Sequence, residues 1–282
     1  MKIKFATAAT IACGLFACAT SYAQEAAPTT QYSVGFKAWS ASWSSYLPAT
    51  VAGANASGQP VTATSIDSVD GDRRTNFIPL VAVRRGNYFV SGSYGKYDAD
   101  FHVGASTVAV APATTLITSR TDHFMRKESD LTAGYFITPE VALTLGFKYA
   151  KEYRDISLGI APQSTPLLDD KVTGFLAGFV GSFPIMGALR LYSQAAYGPA
   201  RYKSTFADPA TPSVSGNASY FIAEFGVTYP LYPAHDRFPA LNGALGYRTQ
   251  TVKSTSNDAS FNESRKLRDV RDGLVLSVTA TF

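Results

Sequence analysis

Val141-Ala142-Leu143-Thr144-Leu145-Gly146-Phe147-Lys148-Tyr149-Ala150 decides the fold. Its odd positions are Val141, Leu143, Leu145, Phe147 and Tyr149, and its even positions are Ala142, Thr144, Gly146, Lys148 and Ala150. Successive side chains of an extended strand point to opposite faces, so a period of two gives one apolar face and one small or polar face. Phe221, Ala223, Phe225, Val227 and Tyr229 alternate in the same way with Tyr220, Ile222, Glu224, Gly226 and Thr228. Leu274, Leu276, Val278, Ala280 and Phe282 repeat the pattern at the end of the chain. One segment is ambiguous, because Val172, Leu176 and Val180 compete with Phe175, Phe179 and Phe183 for its apolar face.

Working outward, ten such segments cover the chain: Tyr32–Trp43, Asn76–Arg85, Tyr88–Tyr97, Arg120–Ile137, Val141–Arg154, Lys171–Phe183, Ala188–Tyr202, Ala218–Tyr229, Ala240–Val252 and Leu267–Phe282. The connections at 86–87, 138–140 and 184–187 are short turns and that at 230–239 is somewhat longer, whereas 44–75, 98–119, 155–170, 203–217 and 253–266 are long and polar. Antiparallel strands reverse direction each time, so the long loops fall at one end and the short turns fall at the other with both chain ends. The expectation is an all-β, antiparallel up-and-down transmembrane barrel of ten strands. Val61–Val69 permits an additional hairpin, which makes twelve strands the alternative.

Composition agrees. Of 282 residues, 46% are hydrophobic and 13% aromatic, and the 16% that are charged fall well below the roughly 25% of an ordinary soluble domain. Lys2 and Lys4 precede an apolar stretch from Phe5 to Ala19 and the small-residue site Ser21-Tyr22-Ala23, the pattern of a secretory signal cleaved before Gln24. Residues 1–23 are then signal peptide, 24–29 a short N-terminal segment and 30–282 the barrel. Leu15-Phe16-Ala17-Cys18 supports a rival lipoprotein reading. Cleavage after Ala23 removes Cys13 and Cys18, leaving no thiol for a disulfide, metal site or nucleophile. Without Lys2 and Lys4 the balance is 23 basic against 21 acidic groups, which argues against a nucleic-acid partner. No run of 18 uncharged apolar residues follows the signal, so no membrane-spanning helix is expected.

A soluble sandwich also alternates. Here, however, the non-apolar parity holds mostly Gly, Ala, Ser, Thr and single charges, as a barrel lumen does. Aromatic residues also gather near strand ends, at Tyr135, Phe147, Tyr149, Tyr153, Tyr197, Tyr202 and Tyr229. The last strand, Leu274, Leu276, Val278, Ala280 and Phe282, resembles the assembly signal of Gram-negative outer-membrane β-barrel proteins, although Val278 and Ala280 stand where aromatics are common. That resemblance implies a bacterial outer-membrane location with periplasmic termini and loops at the cell surface. It also implies contact with outer-membrane lipid and lipopolysaccharide, and biogenesis by the barrel-assembly machinery and periplasmic chaperones.

Inward parity predicts Lys37, Arg84, Asp130, Lys148, Arg190, Glu224, Arg248 and Arg271 in the lumen, six basic and two acidic. Across the 138–140 turn, paired residue numbers sum to 278, which places Asp130 opposite Lys148; Glu224 is expected to meet Arg190 or Arg248. These charges support a narrow, weakly anion-preferring passive pore for small solutes or ions, or a network that plugs the barrel. The long loops support a different class, a surface adhesin or ligand-binding barrel. A third class, an outer-surface hydrolase, rests on Asp98, Asp100, His102, Asp122 and His123 around the third strand's loop. This group resembles in part the omptin surface proteases, ten-stranded barrels with acidic pairs and an Asp-His dyad, but here all five residues flank one loop. Asp67-Ser68-Val69-Asp70-Gly71-Asp72 lacks the spacing of a calcium loop, and phosphate-loop, zincin, serine-hydrolase and dinucleotide motifs are missing from the mature chain. The expectation is therefore no catalytic site, no metal and no cofactor.

Overall fold

Gly86 and Gly187 have φ of 58° and 57°, the left-handed conformation that a tight hairpin turn demands and glycine supplies without a Cβ penalty. They make the first and third of the short connections in a computed structural model that describes residues 29–54, 60–103, 106–110, 113–117, 120–155, 168–206, 213–234, 238–258 and 263–282. The signal segment with Cys13 and Cys18, and His235 in the fourth short connection, lie outside the described residues.

The strands are β1 (Thr30–Ala54), β2 (Pro60–Arg85), β3 (Tyr88–Val103), β4 (Ser106–Val110), β5 (Ala113–Ile117), β6 (Arg120–Phe136), β7 (Val141–Asp155), β8 (Leu168–Met186), β9 (Leu189–Phe206), β10 (Val214–Tyr232), β11 (Ala240–Asp258) and β12 (Glu263–Thr281). Ten of them close an antiparallel barrel in the order β1-β12-β11-β10-β9-β8-β7-β6-β3-β2, and β4 pairs only with β5. Closure joins the chain ends: Phe282 donates its N–H to the Tyr32 carbonyl at 2.9 Å, and Tyr32 donates to Phe282 at 3.2 Å.

Two expectations about the loops are corrected. Residues 44–75 are not an open loop, because β1 and β2 remain paired out to Ala54 and Pro60 as one long hairpin. The additional hairpin arises instead as β4–β5 within the connection from β3 to β6, outside the wall, so the barrel keeps ten strands rather than twelve.

The faces separate as period two requires. Leu145, Phe175, Phe225 and Leu276 lie on the outer surface with more than half of their area exposed, while Ala142, Lys148, Leu176 and Val180 are buried inside. This resolves the ambiguous segment: Phe175, Phe179 and Phe183 of β8 point outward. A continuous exposed apolar surface on every wall strand is a membrane-facing belt, far larger than a soluble monomer tolerates. From Phe282 to Leu274 it spans nine residues, about 20–25 Å for tilted strands. Tyr32, Tyr88, Tyr135 and Tyr229 mark its lower rim and Tyr94 and Tyr197 its upper rim. Tyr202 departs from the girdle expectation, because it faces inward and is buried.

One seam is irregular. Between β2 and β3 the ladder runs from Arg85↔Tyr88 to Leu80↔Ser93 and resumes only at Gly71↔Phe101, shifted in register. Pro79 lies in the interruption and has no N–H to contribute.

Candidate functional site

The lumen is crossed by two linked charge clusters. The lower one centres on Glu224 of β10, buried and midway up the belt. It accepts hydrogen bonds from Lys37 Nζ of β1 at 2.9 and 3.0 Å, Arg248 of β11 at 3.1 Å, Tyr192 Oη at 3.1 Å and Gln194 Nε2 at 2.9 Å. Two cations and two neutral donors around one carboxylate satisfy its lone pairs, the condition under which a buried charge is tolerated.

The upper cluster centres on Glu128 of β6. Arg126 Nε donates to it at 2.6 Å and Gln250 Nε2 at 2.8 Å, Lys148 Nζ stands 3.0 Å away, and Arg271 of β12 donates to the same carboxylate. Arg126 also reaches Glu152 at 3.2 Å and the Tyr220 hydroxyl at 2.8 Å. Arg154 continues the chain to Glu152 at 2.7 Å and Asp170 at 3.3 Å, and Ser45 donates to Asp269 at 2.7 Å. Arg271 stacks over Tyr97 at 4.1 Å, beside Trp39 and Trp43. Arg126, Glu128, Lys148, Tyr220 and Arg271 each expose 2% or less of their surface. Water therefore barely touches the lumen at this height.

Below this level lies a cavity of about 110 Å³, with Ile78, Leu80, Leu176 and Val180 on its apolar side and Lys37, Tyr97, Lys148 and Arg248 on its polar side. It has room for several water molecules beside Arg248, whose Nε has no protein partner.

Of the sequence-predicted lumen residues, Lys37, Lys148, Glu224, Arg248 and Arg271 lie in these clusters, and Asp130 stands opposite Lys148 with 2.5 Å between carboxylate and ammonium. The Glu224 partners are Arg248 and Lys37, not Arg190. Arg190 donates to Ser182 at 3.0 Å and Arg84 to the Gly86 carbonyl at 2.8 Å, both near the short-turn end. As lumen residues, Arg126, Arg154, Asp122, Glu128, Glu152, Asp170 and Asp269 escape the sequence reading, although Asp122 is among its hydrolase candidates; all are buried on the inner face. The missed groups, five acidic and two basic, bring the lumen close to neutral and correct the expected positive bias. Their signal was present, since each continues the inward parity of Asp130, Lys148, Val172 or Arg271 past the aromatic rim.

The five hydrolase candidates divide between two faces, so the expected grouping is corrected. Asp122 is buried and faces inward, whereas Asp98, Asp100, His102 and His123 lie on the outer wall above the belt. There His123 Nδ1 is 2.6 Å from Asp100, which also pairs with Arg74. The hydrogen bond from His123, with Arg74 alongside, holds the Asp100 carboxyl below the usual carboxylate range. His102 meets Thr121 at 3.1 Å and Asp72 at 3.5 Å, and Asp98 pairs with Lys96 at 3.5 Å. A carboxylate–imidazole pair can move protons, but the lumen cavity does not border this one.

Solved structures similar to this chain include the outer membrane protease OmpT from Escherichia coli, at 10% identity over 90% of this chain and 96% of that one, with a TM-score of 0.49. Neisserial surface protein A matches at 17% identity over 71% and 99%, with a TM-score of 0.34. The Pseudomonas putida toluene transporter TodX matches at 8% identity over 92% and 90%, with a TM-score of 0.32. Likeness this distant bears on neither activity nor ligand. No protein family and no curated protein matches the sequence.

Proposed function

We propose that this protein is a surface barrel of the bacterial outer membrane whose lumen is plugged at rest, and not a passive anion-preferring pore. The observation that carries the reading is the solvent-excluded cluster around Glu128, to which β6, β7, β10, β11 and β12 all contribute side chains. Ion conduction requires an aqueous path, and ten strands enclose little space beyond that filled by side chains. The near-neutral lumen also removes the basis for anion preference. Outer-membrane residence is supported by the encircling apolar belt and the two aromatic rims. The test is single-channel conductance of folded protein in a planar bilayer under a salt gradient. Silence is expected; discrete steps with an anion-selective reversal potential overturn the reading.

A second role, recognition at the cell surface through the loops, is favoured by one feature. The β1–β2 hairpin stays paired for more than a dozen residues beyond the belt, from Ala41 to Ala54, and so presents a strand pair well clear of the membrane.

A further inference from the structure

The outer wall carries a row of lysines in direct register. Lys96 of β3 pairs with Lys127 of β6, Lys127 with Lys151 of β7, Lys151 with Lys171 of β8, and Lys171 with Lys203 of β9. Five neighbouring strands thus place ammonium groups side by side across about 19 Å, at about 4.8 Å per strand. All five share the outward parity of the belt; because the strands tilt, the row climbs across the wall, from two residues above Tyr94 on β3 to six above Tyr197 on β9. The outward residues two positions nearer the turns are Tyr94, Ser129, Tyr149, Thr173 and Arg201.

Like charges directly opposite one another on a sheet are destabilising. The wall offers only partial relief: Asp98 lies 3.5 Å from Lys96, Asp169 lies 2.8 Å from Lys151, and the Tyr153 ring sits between Lys127 and Lys151 at 5.7 and 4.5 Å. Arg201, facing outward on β9 opposite Thr173, adds a further positive charge. Two carboxylates against six cations leave a strong positive excess that rises obliquely from the upper edge of the belt, where lipid headgroups meet the barrel.

We propose that this row is a binding site for the phosphorylated glycolipid of the outer leaflet, lipopolysaccharide, whose acyl chains lie against the belt while its phosphates bridge neighbouring lysines. The proposal rests on the reading that the loop end faces the cell surface. Three observations select this occupant. The row continues the lipid-facing surface upward without a break, its charge complements phosphate, and its width suits several phosphates held close together rather than one.

The test titrates folded protein in neutral detergent with lipid A carrying both phosphates, with its dephosphorylated form and with phosphatidylglycerol, and follows bound lipid by native mass spectrometry. The comparison proteins are the triple variant Lys127→Gln, Lys151→Gln, Lys171→Gln and the matching triple arginine variant. Phosphorylated lipid A is expected to bind the wild type about tenfold or more tightly than the glutamine variant, with arginine preserving binding. Raising salt from about 50 to about 500 mM is expected to weaken wild-type binding severalfold, a readout that stands even if the glutamine variant fails to fold. Equal binding by the glutamine variant, equal binding of dephosphorylated lipid or phosphatidylglycerol, or salt-insensitive binding each overturn the proposal. Residence is decided separately, by fractionating membranes of cells that express the protein.

Discussion

At the scale of single residues, the lumen is governed by what happens when one member of a buried set is lost. Glu128 neutralises Arg126, Lys148 and Arg271 where almost no water reaches them. Glu128→Ala takes from Arg271 the carboxylate it meets and leaves Arg126 and Lys148 with Glu152 and Asp130, and is expected to cost about 3–5 kcal/mol, read from the midpoint of urea unfolding in detergent micelles. Asp100 behaves differently, because it is partly exposed and its carboxyl is depressed by His123 and then Arg74. A depressed carboxylate contributes stability above its unfolded value and loses it as pH falls through the folded one. Acidification from about pH 6 to about pH 3 is therefore expected to speed amide exchange at the upper ends of β3 and β6, after correction for intrinsic rates. In Asp100→Asn that extra acid sensitivity is expected to vanish. Unchanged sensitivity in the variant would show that the Asp100 pair does not hold these strand ends.

At the scale of elements, period two carried the reading as far as it applies to one strand, and it failed where a second strand decides. Leu143, Leu145 and Phe147 announce their face unaided. Phe175 and Leu176 do not, because both parities of β8 are apolar, and only the neighbouring walls settle which fits inside. Ser, Gly and Ala hold much of residues 44–75, a composition that suits a loop as well as a β1–β2 hairpin. The hairpin's strand character comes from mutual pairing, helped by scattered Thr, Val and Ile. The β2–β3 seam leaves no sequence trace except Pro79. The seam-facing amides in 72–78 and 94–100 are expected to exchange faster than those on the facing strands β7 and β8, since they lack ladder partners across the seam. Equal protection would show that the wall is continuous there.

At the scale of the whole molecule, closure and strand number were legible in the sequence because connection length alternates. The site was half legible. Lys37, Asp130, Lys148, Glu224, Arg248 and Arg271 follow from parity within the belt, while Glu128 and its upper neighbours lie just beyond the rim, where a sequence alone does not say whether the lumen continues. The silent bilayer expected for the wild type has a counterpart here: Arg126→Ala combined with Tyr220→Ala removes two side chains that close the upper level and is expected to yield brief, weakly selective openings. Continued silence in a verified folded variant would move the closure to another level.

Arg271 reaches Glu128 across 143 positions of sequence, and Arg271 and Asp269 both belong to the final strand. The charge set is thus incomplete until the last segment of the chain docks. Until then Arg126, Lys148 and Arg154 meet the carboxylates of β6, β7 and β8, Glu128, Asp130, Glu152 and Asp170, in a groove open to water, where hydration weakens each pair. Sealing the wall and drying the lumen become a single late event, so the network opposes unfolding of the finished barrel while contributing little to the speed of its construction.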